Sequence, residues 1–162
     1  MATRIAGFLA LLLAAHFGAT PCMAEDPPAP VPFGIDQRPM PSGSDLSALI
    51  PTIVGSFQRK PLDDDVRQQP NETPTFAVYS NGPDAIFFGV RLAEDSGDAR
   101  NDVVQSRLSS NMSSSEESFS AGTEPSYYRV PQLMTWSRGR YFFYAQANRQ
   151  SALDTFMRAF PY

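Results

Sequence analysis

The chain has 162 residues, 15 of them proline, with a net charge of −4, one cysteine and one histidine. The length suits a single domain, and 42% apolar residues exclude wholesale disorder. His16 and Cys22 both fall in the first 24 residues, so a chain that loses them has neither imidazole nor thiol. That excludes Ser-His-Asp and Cys-His catalysis, thiolate or imidazole zinc sites, and disulfides.

Arg4 precedes an uncharged, leucine-rich run over residues 5–15, and Cys22-Met23-Ala24 places small residues at the first and third positions before Glu25. This is the layout of a secretory signal peptide over 1–24, cut after Ala24. The apolar run is shorter than the roughly 20 residues a membrane span needs, so no stable span is expected after cleavage. The alternatives are an uncleaved anchor and a lipid on Cys22. Cleavage removes Arg4 alone among the charged residues, leaving 12 basic and 17 acidic side chains and a net charge of −5. An acidic product of this kind, periplasmic or secreted, is a poor ligand for nucleic acid or anionic lipid. Without cysteine in an oxidising compartment, core burial alone must hold the fold.

Residues 25–43 carry six prolines, at 27, 28, 30, 32, 39 and 41. Proline removes amide donors and favours extended backbone, so this stretch reads as a disordered tether before a domain over 44–162. In that domain Ser44 is placed to cap a helical turn over 45–50, which Pro51 closes. Residues 54–59 read as a strand anchored by Val54 and Phe57, and 62–73 as a polar loop.

Residues 76–80 and 85–93 flank Asn81-Gly82-Pro83-Asp84, a strong turn signal between two strands. Ile86, Phe88, Val90 and Leu92 share one face of the second strand, while Phe87, Gly89 and Arg91 occupy the other. Asp95-Ser96-Gly97-Asp98 offers caps for a helix on which Ala99, Val103, Val104, Leu108 and Met112 recur at helical spacing. The serine-rich, acidic stretch 109–123 has little to bury and is expected to be a mobile loop. Residues 127–130 suit a short strand. Residues 133–137 and 141–147 then flank a hairpin turn at Arg138-Gly139-Arg140. Ser151 is in register to cap a last helix whose Leu153, Phe156, Met157 and Phe160 form one apolar face.

The pattern therefore predicts an α+β fold: an antiparallel sheet of five to six strands built from two hairpin-helix units, with both helices on one face.

Few residues point to chemistry. Asp63-Asp64-Asp65 lacks the alternating spacing of a calcium loop and reads as solvated charge, so no metal site is assigned. Asp95, Asp98 and Asp102 are carboxylates near one helix start, where capping explains Asp98. Asn71-Glu72-Thr73 and Asn111-Met112-Ser113 match the glycosylation pattern, and Ser114-Ser115 precede two glutamates; both read as chance matches. Trp136, Arg138, Arg140 and Tyr141 surround the second hairpin turn, where paired arginines beside aromatics could bind an anion or an aromatic group. The strand Tyr141-Phe142-Phe143-Tyr144 has large residues on both faces, as does the strand carrying Phe87. With helices on one side only, that leaves either a covered second face or an exposed aromatic patch.

The expected function is an exported, noncatalytic interaction or accessory module that uses no cofactor and contacts a protein partner through this aromatic sheet surface. One alternative is a small-ligand-binding protein with an apolar pocket between sheet and helices. Another is a hydrolase independent of histidine and cysteine.

Overall fold

A computed structural model describes residues 30–61, 75–110 and 114–162. The expected signal peptide over 1–24, residues 25–29, the Asp63–Asp65 run and both Asn-x-Ser/Thr matches lie outside the described residues. Eight strands form one antiparallel sheet: β1 (Ile53–Val54), β2 (Phe57–Arg59), β3 (Thr75–Asn81), β4 (Asp84–Leu92), β5 (Ser118–Ser120), β6 (Tyr127–Val130), β7 (Leu133–Arg138) and β8 (Tyr141–Ala147). Their order across the sheet is β1-β2-β3-β4-β8-β7-β6-β5. Two meanders thus meet at the central β4–β8 pair, where Ile86 faces Ala147 and Leu92 faces Tyr141. The helices are α1 (Ser96–Ser109) and α2 (Gln150–Ala159).

The sheet has eight strands where the sequence pattern predicts five to six. The expected strand over 54–59 is folded back on itself at Gly55-Ser56, pairing Val54 with Phe57. The serine-rich stretch contributes β5, which pairs with β6 through Phe119 and Tyr128. Three hairpins turn on two residues, the first a glycine of positive φ: Gly55, Gly82 and Gly139. Pro83 cannot take a positive φ, so the turn after β3 needs the left-handed residue at Gly82 alone.

Each of the hairpins β3–β4 and β7–β8 is followed by a helix, yet the two helices lie on opposite faces, which corrects the one-face expectation. Leu153, Phe156 and Met157 of α2, with Phe160 just beyond its end, are buried against Ile86, Phe88, Val90, Trp136 and Phe143. Phe88 and Phe160 are 4.7 Å apart between ring centroids, and Phe57 and Phe156 meet edge to face at 5.6 Å. On the other face, Val103 of α1 packs with Tyr128, Val130 and Leu133, with Phe142 and Tyr144 beside them. Large side chains on both faces of β8 therefore have cover on both sides. Asp95 caps α1, accepting from the Asp98 amide at 2.8 Å. Ser151 does not cap α2: the cap position is Arg149, and Asp154 within the helix pairs with Arg129 at 2.9 Å.

The proline-rich stretch is not free of the domain over its described part. Residues 30–43 form a strap with a 3-10 turn at Pro32–Gln37, and Ile35 is fully buried. Arg38 donates to the carbonyls of Met157 (2.6 Å) and Phe160 (2.5 Å), carbonyls left open at the end of α2. Burial, and then the charge of neighbouring Arg138, lower the Arg38 pKa from its ordinary value. Among the described residues no helix is long and apolar enough to cross a membrane.

Candidate functional site

The four residues around the second hairpin turn have internal partners. Trp136 is buried and stacks on Phe143 with centroids 5.0 Å apart. Arg138 closes β7 rather than sitting in the turn, because the turn proper is Gly139-Arg140 and Arg138 pairs with Tyr141. Only 6% of Arg138 is exposed; its guanidinium donates to the carbonyls of Ile35 and, at 3.0 Å, Arg38. Tyr141 is buried and donates its hydroxyl to the Gly43 carbonyl. Arg140 is exposed, and its Nε and Nη2 donate to the Ala93 carbonyl at 3.1 and 2.9 Å. Three of these side chains hold the strap and core, and the fourth ties the turn to the end of β4.

A different set converges on the α1 face of the sheet. α1 covers β6, β7 and part of β8, and beside it the rings over β3 and β4 line a groove of about 420 Å³. Its floor is Phe76, Phe87, Gly89, Phe142 and Tyr144; its wall is Asp102, Gln105, Ser106 and Ser109 of α1. Strand alternation puts Phe87, Gly89 and Arg91 on this face, and cross-strand pairing brings Tyr144 beside Gly89 and Phe142 beside Arg91. Phe76 and Phe87 are stacked, 5.1 Å apart and 25° from parallel, and Tyr144 meets Phe87 edge-on at 6.0 Å.

The groove has a polar end. Arg91 donates its Nε to Asp102 Oδ2 at 2.7 Å and its Nη2 to Asp102 and, at 3.2 Å, to Asp98. Burial alone would lower the Arg91 pKa; the hydrogen bonds and charges of Asp102 and Asp98 outweigh it and raise the pKa above its ordinary value. Burial also pushes the Tyr144 phenol up, and its hydroxyl donates to Gln146 at 2.6 Å.

The sequence pattern placed Phe87, Gly89 and Arg91 on a second face and put Asp98 and Asp102 near one helix start. It did not join them, because the join depends on which face α1 crosses. Among the described residues no group of three His, Cys, Asp or Glu side chains is placed to hold a metal ion. Compared with protein-family models, curated proteins and solved structures, the chain matches none.

Proposed function

We propose that the chain is an exported, noncatalytic binding protein whose site is the groove between α1 and the sheet, and that the groove takes a small apolar ligand. The observation that carries this is the stacked Phe76–Phe87 pair flooring a cleft of about 420 Å³. Small-molecule sites are concave, mostly apolar, and of roughly 300–1,000 Å³. The carboxylates nearby favour binding over hydrolysis. Glycoside hydrolysis by a carboxyl pair sets the two groups across the substrate, whereas Asp98 and Asp102 lie one turn apart on one helix and both engage Arg91.

A second reading, an accessory module that seats a protein partner on the aromatic sheet surface, is supported by Phe87, which is 40% exposed. Native mass spectrometry of the exported protein separates the two. A bound small molecule that is lost from Phe87→Ser, with circular dichroism unchanged, supports the ligand reading. A small molecule retained by Phe87→Ser overturns the groove as its site.

A further inference from the structure

The groove is graded along its length, and this assigns the chemistry of its occupant. Phe87 and Arg91 are four residues apart on one face of β4, so the apolar and polar ends are separated by roughly 13 Å at the usual rise of a strand. Between them the Phe76 ring lies across Gly89, giving a flat apolar floor.

The hydroxyl donors of the wall and floor are committed. Ser106 donates to the Asp102 carbonyl at 2.8 Å and Ser109 to that of Gln105 at 2.7 Å. The Tyr144 hydroxyl is held by Gln146, and the Nε and Nη2 of Arg91 by its two carboxylates. Asp102 receives Arg91 on Oδ2, and its Oδ1 accepts no hydrogen bond among the described residues. The polar end thus offers an acceptor. It also carries two carboxylates against one guanidinium, which repels an anion. An ammonium group would meet the same acceptor, but it would have to leave water for an apolar cleft.

Resting on the small-ligand reading above, we propose that the ligand is an elongated molecule with an aromatic body and one uncharged hydrogen-bond donor at its end. The body lies on Phe76 and Phe87, and the donor, a hydroxyl or amide N–H, meets Asp102.

Calorimetric titration of the full chain with four probes of one shape tests this: 4-phenylphenol, 4-methoxybiphenyl, biphenyl-4-carboxylate and 4-(aminomethyl)biphenyl. The phenol should bind about tenfold more tightly than each of the others, since a hydrogen bond to a charged acceptor is worth at least that factor. Asp102→Leu, which has no acceptor, should remove the phenol's advantage over the methoxy probe and improve binding of the carboxylate to the released Arg91. Equal or tighter binding of the carboxylate, amine or methoxy probe by the native chain overturns the head-group assignment. If Phe87→Ser still weakens all four probes alike, the groove itself stands. If no probe binds, or if Phe87→Ser changes nothing, the groove reading fails with it.

Discussion

A Cβ added to Gly89 would stand 2.6 Å from Cδ1 of Phe76, so the Phe76 ring occupies the place of a side chain on the neighbouring strand. The two residues are cross-strand partners on the α1 face. Glycine usually weakens a strand because it has nothing to pack. Here the partner's ring fills that space and lies flat enough to stack on Phe87.

Gly89→Ala should therefore lift the Phe76 ring, at a cost of roughly 1–3 kcal/mol for overpacking. The urea midpoint should fall, and affinity for an aromatic probe should fall with it, because the displaced ring enters the groove. A variant with native affinity would show that the ring can move aside without narrowing the cleft.

Arg138→Ala tests the strap. The native guanidinium bridges two carbonyls of residues 30–43 from a position that is 94% buried, and its loss leaves both acceptors without that donor. Hydrogen bonds from a charged donor are worth about 1.5–3 kcal/mol each. Urea unfolding should show a loss of about 3 kcal/mol or more, and hydrogen exchange at residues 33–40 should quicken. Arg140→Ala, whose side chain is exposed, should cost under about 1 kcal/mol. Equal costs for the two arginines would contradict the division between a strap clamp and a turn residue.

Much of the element order was legible because it rests on local signals. The Asn81-Gly82-Pro83-Asp84 turn, the alternation along β4 and the apolar spacing of α2 each need only a few neighbouring residues to specify them. Other features were not legible, β5 in the serine-rich stretch among them, and three show why. Gly55-Ser56 is too short a break to show against a six-residue strand pattern. The strap looked like a linker because its prolines dominate its composition, while its contribution to the core comes chiefly from Ile35 and from carbonyls that bind arginines far away in sequence. The face chosen by α1 is set by Arg91 reaching Asp98 and Asp102 and by Val103 packing on β6 and β7, contacts that no spacing rule reveals. That last choice is what creates the groove.

Leu108 and Phe156 show the difference between spacing and burial. Both fall in the apolar repeat of their helices, yet Leu108 is 71% exposed and Phe156 is fully buried against Phe57, Tyr79 and Phe88. Phe156→Ala should cost roughly 3–5 kcal/mol, much of the stability of a small domain. Leu108→Ser should shift stability by no more than about 0.5 kcal/mol. Thermal melts of the two variants decide it, and a large loss from Leu108→Ser would place that side chain against something outside the described residues.

Tyr79 gives the fold a dependence on alkaline pH. Its hydroxyl donates to the Pro51 carbonyl at 2.6 Å, and its ring is buried beside Phe88 and Phe156. Burial pushes the phenol up to about 12, with the charge of Arg59 acting in the opposite direction. An unfolded chain ionises a tyrosine near its ordinary value of about 10. Below that pH the group is neutral in both states and adds no pH dependence. Between about 10 and 12 the unfolded state loses the proton first, so unfolding is favoured progressively as pH rises. Stability measured by urea should fall through this window by on the order of 1–2 kcal/mol from this residue. Tyr79→Phe should flatten that part of the pH profile while lowering stability at neutral pH, because the Pro51 carbonyl loses its donor. An ultraviolet titration of the folded protein should lose its highest-pH tyrosine step in the same variant. A profile equally steep with and without the hydroxyl would assign the alkaline sensitivity to another group.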